Sequence, residues 1–170
     1  LLDQMLSRAL VVHRTDSVAR EAIDLRQIAL DIVETREHDV LAPGVEVELV
    51  IGERELVVAG DEFSLVQAGK NLLSNALKHG TPPVRVGVSE VAGRAHLWIE
   101  DAGPGIAPEQ LARTGERFQR SAASREDSVG LGLSIVAAVA DAFDGEIVTS
   151  REGERFRIAL SLPIAREEMP

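Results

Sequence analysis

The chain has 170 residues, 45% of them apolar, and its 28 acidic and 18 basic residues give a formal net charge of −10. Such an acidic surface repels nucleic acid and anionic membranes unless positive charge is concentrated locally, so we expect no nucleic-acid partner. The sequence contains no cysteine, which excludes disulfides and cysteine-based metal sites. No apolar run in it approaches the roughly 18 residues that a membrane-spanning helix needs.

The first sixty residues carry signals for two helices and a hairpin. Apolar residues spaced three or four apart predict helices, whereas alternation of apolar and polar residues predicts strands. Asp24 is a favourable N-cap for the second helix. In chain order, the predicted elements are a helix over residues 1–12, a polar linker over 13–23, a helix from Asp24 to about Glu37, and a hairpin of strands 45–49 and 56–59.

The rest of the chain mixes long helical patterns with paired strands. Asp61 is expected to cap a long helix, and Gly80 followed by two prolines is expected to end it. The predicted elements are a helix over 62–79, strands at about 84–90 and 95–100, an irregular segment over 101–130 with a short helix near 108–112, a helix over 131–143, and strands at about 146–151 and 155–162. This order indicates an α/β fold, a two-layer sandwich.

A polar stripe runs along the long helix. Gln67, Asn71, Asn75 and Lys78 share one side, away from the leucines of the buried face. A solvated face is one interpretation, but such faces favour Glu, Lys and Arg, and Asn lowers helix propensity. Carboxamide oxygens bind Mg²⁺ directly or through its waters, and amide N–H groups hold phosphate oxygens. The stripe is therefore a candidate site for a metal and phosphate.

Two glycine-containing segments are further candidates. Asp101 follows a predicted strand and leads into Gly103-Pro104-Gly105, which suits a ligand that approaches the backbone closely; a surface turn is the alternative. Gly130 and Gly132 precede an apolar helix, whose N-terminal amides suit phosphate; an ordinary junction between loop and helix is the alternative.

The segment between these glycines is rich in arginine. Arg113, Arg117, Arg120 and Arg125 lie within thirty residues that are predicted to be mostly irregular, and Phe118 lies among them. Long irregular segments in compact domains are often lids over a site. In so acidic a chain these arginines suggest contacts to an anion when a lid closes, although a solvated loop would also explain them.

Four motifs, taken in order, resemble those of one family. N-L-L-S-N-A-L-K-H, D-A-G-P-G-I, E-R-F and G-L-G-L-S-I-V resemble the N box, first glycine box, F box and second glycine box of bacterial sensor histidine kinases. These kinases belong to the wider ATPase group that includes gyrase, Hsp90 and MutL, and the resemblance covers about residues 24–163. It implies a Bergerat-type two-layer sandwich: a mixed sheet of about five strands, helices on one face, and ATP held between helices and a lid.

The resemblance also assigns roles to residues. It implies that Asn75 binds Mg²⁺, that Asn71 and Lys78 contact phosphate or a metal-bound water, and that Asp101 bonds the adenine amino group. Arg117 or Arg120 would meet the γ-phosphate. The other residues implied to contact the nucleotide are His79, Gly103, Gly105, Ile106, Phe118, Gly130, Leu131, Gly132 and Leu133.

The activity implied is that of a protein histidine kinase. The γ-phosphate of ATP would pass to a histidine on a dimerisation and phosphotransfer hairpin outside this chain, and then to an aspartate of a response-regulator receiver domain. Residues 1–20 would be the end of that hairpin plus a linker, and 21–170 the catalytic ATP-binding domain. The resemblance further implies a homodimeric parent protein anchored in the inner membrane, with this domain in the cytoplasm.

Two features of the sequence depart from the family pattern. Asp127-Ser128-Val129 stands where many relatives have glycines before the second glycine box. His13 is followed by Arg14-Thr15 and not by an acidic residue, so we interpret it as a linker residue and not as the phosphoacceptor.

Two other functions are alternatives to the histidine kinase. One is a gyrase- or Hsp90-like ATPase, which typically has a glutamate near the Asn71 position. The other is a docking module that binds nucleotide without transferring phosphate.

Overall fold

The computed structural model describes residues 2–17, 19–119 and 128–165, without the side chains of residues 3–4, 15 and 114–131. The helices are α1 (Leu2–Ser17), α2 (Leu25–Glu34), α3 (His38–Leu41), α4 (Glu62–His79), α5 (Pro108–Gln119) and α6 (Ser128–Ala142). The strands are β1 (Glu21–Asp24), β2 (Val47–Val50), β3 (Val57–Gly60), β4 (Val84–Val91), β5 (Arg94–Asp101), β6 (Glu146–Glu152) and β7 (Arg155–Pro163).

A mixed sheet of five strands forms one layer of the domain. Its order is β2-β4-β5-β7-β6, with β2 parallel to β4 and every other neighbouring pair antiparallel. Helices α2, α4 and α6 pack against one face of this sheet, and β1 pairs with β3 in a separate two-stranded sheet. The predicted two-layer α/β sandwich is confirmed.

Strand β5 shows how the sequence builds the core between the layers. Its residues point alternately to the two faces, and Ala95, Leu97 and Ile99 are buried on the helical side. Helix α4 meets α2 closely at Gly69, where an added Cβ would lie 2.1 Å from Ile32 Cδ1. The helices therefore pack on a sheet face of branched apolar side chains. The glycine at position 69 permits the short distance between α4 and α2.

The predicted hairpin of residues 45–49 and 56–59 is wrong. Strand β2 pairs in parallel with β4, with Val47 opposite Val84, while β3 pairs with β1, with Val58 opposite Ile23. Alternating hydrophobicity identifies a strand but not its partner. A parallel partner always lies far along the chain, because the connection has to cross over.

The predicted linker over residues 13–23 is also wrong. Helix α1 continues to Ser17, with His13 exposed on it, and β1 begins at Glu21. The short helix predicted near 108–112 is longer, since α5 continues past Gly115 to Gln119. None of the helices in the described part of the chain is long and apolar enough to cross a bilayer.

An ion pair fastens α1 to the N-terminus of α4. Arg14 donates from Nε to Asp61 Oδ2 at 3.1 Å and from Nη2 to Asp61 Oδ1 at 2.9 Å, and its guanidinium lies 5.2 Å from the centre of the Phe63 ring. Asp61 also accepts the amide of Ser64 at 3.0 Å, which confirms its predicted role as an N-cap. The hydrogen bond from Arg14 lowers the pKa of Asp61.

A second polar cluster lies on the sheet face that the helices leave open. Glu100 is only 5% exposed and binds Arg85 and Arg157, with Arg155 at 3.7 Å. The guanidinium of Arg157 lies 3.7 Å from the centre of the Trp98 ring. Burial raises the pKa of Glu100, but hydrogen bonds from the arginines outweigh it and hold this pKa below its usual value.

We expect Glu100→Gln to lower the free energy of unfolding at neutral pH by roughly 2–3 kcal/mol, because it removes the shared partner of three arginines that partly reach solvent. A carboxyl with a lowered folded-state pKa stabilises above its unfolded pKa of about 4.3, and this contribution is lost as the pH falls through the folded-state value. The difference between the two proteins should therefore shrink in acid.

Urea unfolding of both proteins between pH 7 and pH 3 measures this difference. Glu48→Gln is the control, since Glu48 is exposed and lies opposite Arg85 on the neighbouring strand. A Glu100→Gln effect no larger than the control effect, or one that grows in acid, would contradict the interpretation.

Candidate functional site

A cleft opens between the C-terminal half of α4 and the ends of β5 and β7. Its empty volume is about 370 Å³, including the space open to solvent. The residues that line it come from three separated parts of the sequence. They are Leu72, Asn75, Ala76, His79, Gly80, Asp101, Gly105, Ile106, Phe156 and Ile158.

Asn75 of the asparagine stripe lines the cleft, whereas Asn71 lies one helical turn away, outside the lining. Asn75 is 9% exposed, and its Nδ2 atom has no hydrogen-bond partner among the described residues. One turn earlier, Asn71 donates from Nδ2 to the carbonyl of Gln67 at 2.7 Å, which fixes the orientation of its amide. A buried amide left without a partner is destabilising. Asn75 therefore offers hydrogen-bonding capacity to a ligand in the cleft.

Asp101 forms the opposite end of the cleft. Its carboxylate is 6% exposed, and Oδ1 accepts the amide of Gly103 at 2.6 Å and that of Thr81 at 3.3 Å. Both hydrogen bonds that the described residues donate to this group go to Oδ1. Because the two amides fix the carboxylate plane, Oδ2 is held as an acceptor for a hydrogen-bond donor in a ligand.

Close approach of two loops explains the glycines near Asp101. A Cβ on Gly80 would lie 2.5 Å from Asp101 Cγ, and one on Gly103 would lie 2.8 Å from Asp101 Oδ1. Gly105 has a φ of +77°, and a Cβ there would be 2.5 Å from the Phe156 ring. Side chains at these three positions would displace the carboxylate or the aromatic wall, so glycine is needed for this shape.

The apolar wall of the cleft was not predicted. Leu72, Phe156 and Ile158 line it, and they belong to faces that also form the core. Their apolar periodicity carries no signal that separates a wall residue from a core residue. Thr81 was missed as well, because its amide and not its side chain makes the contact to Asp101.

Helix α6 approaches the asparagine stripe through a glycine. A Cβ on Gly132 would lie 3.2 Å from Asn71 Oδ1 and 3.4 Å from Asn75 Oδ1. The prediction that Gly130 and Gly132 precede this helix is wrong, since α6 begins at Ser128. In a helix that starts there, the amide of Gly132 donates to the carbonyl four residues earlier within the helix. Gly132 thus serves close packing of α6 on α4.

Some of the other predicted site residues line the cleft, and others do not. Ile106 and His79 line the cleft, whereas Leu133 is buried in the core and does not line it. Lys78 and Arg113 are exposed and lie outside the lining. The backbones of Gly130 and Leu131 lie in the first turns of α6. The side chains of Arg117, Phe118 and Leu131, and the whole of Arg120 and Arg125, lie outside the described residues.

The donor set of the cleft determines how it could hold a metal. The described residues contain no group of three or more His, Cys, Asp or Glu side chains arranged to bind an ion. The oxygen of the Asn75 carboxamide fits Mg²⁺, which is commonly bound through one or two protein oxygens, waters and ligand phosphates. A cleft of this kind can hold a metal together with a phosphorylated ligand.

Fold and cleft together define a class of protein. A mixed sheet is covered on one face by helices, one of which carries Asn71 and Asn75. The buried Asp101 lies at the end of a strand, and apolar side chains line the cleft between it and Asn75. Residues 60–166 match the family described as "Histidine kinase-, DNA gyrase B-, and HSP90-like ATPase", and the chain belongs to this family.

Individual relatives are sensor kinases. The chain is 32% identical over 171 residues to the probable sensor histidine kinase TcrY of Mycobacterium tuberculosis, covering 96% of the chain and 36% of TcrY. It is 35% identical over 152 residues to the histidine protein kinase DivJ of Caulobacter vibrioides, covering 86% of the chain and 24% of DivJ. The structure of full-length ShkA in complex with AMPPNP matches with a TM-score of 0.69 and 25% identity, covering 95% of the chain and 36% of ShkA. The chain thus spans about a third or less of these proteins.

We expect Gly132→Ala to separate stability from ligand binding. Alanine has a helix propensity about 1 kcal/mol better than that of glycine, so the free energy of unfolding should stay equal or rise. The added methyl group would press on the amides of Asn71 and Asn75, so the affinity for nucleotide should fall at least several-fold.

Urea unfolding and calorimetric titration with nucleotide measure the two effects. Gly52→Ala is the control for the same chemical change, since nothing lies within 4 Å of an added Cβ at that position. Unchanged nucleotide affinity in a folded Gly132→Ala protein would show that the contact with the asparagines does not matter for binding.

Proposed function

We propose that this chain binds Mg-ATP in the cleft and is the catalytic domain of a sensor histidine kinase. The observation that carries the proposal is the convergence of Asn75, Asp101 and Gly132. Asn75 and Asp101 line one cleft, and Gly132 packs on the Asn75 side chain. The sensor kinases among its relatives, and the AMPPNP complex of ShkA, support the same function.

At one end of the cleft, Asp101 would read the adenine base. The Gly103 and Thr81 amides hold Oδ1, so Oδ2 can accept a hydrogen bond from the exocyclic amino group of adenine. Guanine presents an oxygen at the corresponding position and would place two acceptors against each other. A buried site that hydrogen-bonds one ligand group rejects analogues that leave it unpaired. Phe156 and Ile106 would pack against the flat faces of the base.

At the other end, Asn71 and Asn75 would hold the phosphates. A bound Mg²⁺ would neutralise charge on the phosphate oxygens and on the transferring group. Asn75 would supply a carboxamide oxygen to the metal, and Asn71, oriented by its bond to the Gln67 carbonyl, a polar contact to phosphate or a metal-bound water. Lys78, exposed at the end of α4, would add positive charge at the mouth of the cleft. Contacts of Arg117 or Arg120 with the γ-phosphate remain predictions.

Hydrolysis of ATP by water is the competing activity. Activation of water needs a general base close to the γ-phosphate. Asn71 is a carboxamide and cannot accept that proton, and Asp101 is the sole carboxylate among the described lining residues. Asp101 lies at the base end of the cleft. The residue types therefore favour transfer to a nucleophile brought from outside, such as an imidazole nitrogen, over hydrolysis or simple docking.

That nucleophile would come from a hairpin of which α1 forms the end. Several apolar side chains of α1 are exposed, as expected of a helix that packs on further helices: Leu2, Met5, Leu6 and Leu10. In this scheme residues 1–20 belong to the hairpin and its connection, and 21–170 to the catalytic domain. A response-regulator receiver domain as phosphate acceptor, a homodimeric parent protein and its anchoring in the inner membrane are further parts of the proposal.

We expect the chain to bind ADP and ATP in calorimetry, more tightly with Mg²⁺ than without it, and not to phosphorylate itself. Asn75→Ala should remove most of the dependence on Mg²⁺, because it deletes the metal-binding oxygen. Ser74→Ala is the control, since Ser74 lies on another flank of α4 and does not line the cleft. Absence of nucleotide binding by the folded wild-type chain would refute the function. Rapid turnover of free ATP would favour the ATPase alternative, and unchanged metal dependence in Asn75→Ala would refute the role of Asn75 alone.

We expect Asp101→Asn to change base selectivity. The side-chain oxygen of asparagine can still accept from the Gly103 and Thr81 amides, but an amide NH2 group, which is a donor, replaces the other carboxylate oxygen. The affinity for ADP should fall by about tenfold or more, since a hydrogen bond to a charged group is lost. The affinity for GDP should change little or rise, because its base oxygen can accept from the new donor. Equal losses for both nucleotides would contradict the role in base recognition.

A further inference from the structure

A surface arginine on β6 reaches the loop that follows Asp101. Arg151 donates from Nη2 to the carbonyl of Gly103 at 3.0 Å, and its guanidinium lies 5.7 Å from the centre of the Phe156 ring. In the sheet, Arg151 lies opposite Phe156, which in turn lies opposite Asp101. Residues that are directly opposite share a face, so the three side chains form a row at the base end of the cleft.

The Gly103 residue is therefore held from two sides. Its amide donates to Asp101 Oδ1 at 2.6 Å, and its carbonyl accepts from Arg151 on the solvent side. Sheet pairing ends at Asp101, and residues 102–107 belong to no helix or strand. A loop without ladder bonds depends on such individual contacts for its position. Arg151 thus contributes one of the few bonds that fix this loop.

Arg151 also contacts the aromatic wall beneath the loop. Phe156 lines the cleft, and its ring leaves no room for a Cβ on Gly105. Stacking of a guanidinium on an aromatic ring is attractive and restricts the orientation of both groups. One side chain therefore joins the loop to the wall, although Arg151 itself does not line the cleft.

We propose that Arg151 is a positioning residue for purine binding. It holds the Gly103 peptide and the Phe156 ring in the arrangement that receives the base, without touching the ligand. The inference rests on the proposed function, because it concerns the nucleotide end of the same cleft. It differs from a role in folding alone, since the loss should fall on the base and not on the phosphates.

The test compares Arg151→Ala and Arg151→Lys with wild type, and uses Arg155→Ala as a matched control. Arg155 lies on the same hairpin, but its side chain is on the other sheet face and is 54% exposed. Both alanine variants remove one positive charge. The probes are adenosine, which is uncharged and therefore insensitive to long-range charge, Mg-ADP, and Mg-pyrophosphate. Dissociation constants come from NMR titration, and thermal unfolding shows that each variant is folded.

We expect Arg151→Ala to weaken adenosine and Mg-ADP binding by about fivefold, as for the loss of one hydrogen bond, and to leave Mg-pyrophosphate binding unchanged. Arg151→Lys keeps the charge but not the planar group, and should lie between Arg151→Ala and wild type. Arg155→Ala should bind all three probes like wild type.

Three results would overturn the inference while the proposed function stands. They are unchanged adenosine binding by Arg151→Ala, an equal loss in Arg155→Ala, and a loss for Mg-pyrophosphate as large as that for adenosine. If the folded wild-type protein binds neither adenosine nor Mg-ADP, the proposed function fails, and the role of Arg151 fails with it.

Discussion

The shape of the cleft depends on one buried carboxylate that binds two backbone amides. Asp101 Oδ1 accepts from Thr81, just past the C-terminus of α4, and from Gly103, in the loop after β5. The amide of Ala102 also donates to the carbonyl of Thr81 at 2.8 Å. These bonds join the helical layer to the end of a central strand. The helix that carries the asparagines and the loop that would receive the base are therefore held at a fixed separation.

Helix α4 combines three tasks on different sides of one cylinder. Its leucines fill the core, Asn71 and Asn75 face α6 and the cleft, and Lys70 forms a 3.0 Å ion pair with Glu37 on the far flank. Such a helix cannot rotate without exposing core residues and moving the asparagines away from Gly132. Packing in the core thus fixes the positions of the polar side chains in the site. The cleft therefore does not need many charged groups to hold these side chains in place.

Local signals in the sequence predicted most elements, while long-range signals were missing. The N-caps Asp24 and Asp61 were predicted because their side chains bind amides only two or three residues away. The partners of β2 and β3 were not, because pairing across the chain leaves no trace in alternation. Two polar residues that line the cleft were singled out from local signals, Asn75 from a rare residue type at helical spacing and Asp101 from its place at a strand end before glycines. The wall of the cleft at Phe156 was not predicted, since an aromatic residue in an apolar strand looks the same in a wall and in a core.

The contact between α1 and α4 restricts how the two helices can move. Asp61 uses both carboxylate oxygens for Arg14 and also accepts the Ser64 amide, and it is only 6% exposed. Swinging α1 outward would break both hydrogen bonds from Arg14 to this carboxylate, and water would have to replace them. A tilt of α1 would therefore pull on the first turn of α4 through this ion pair.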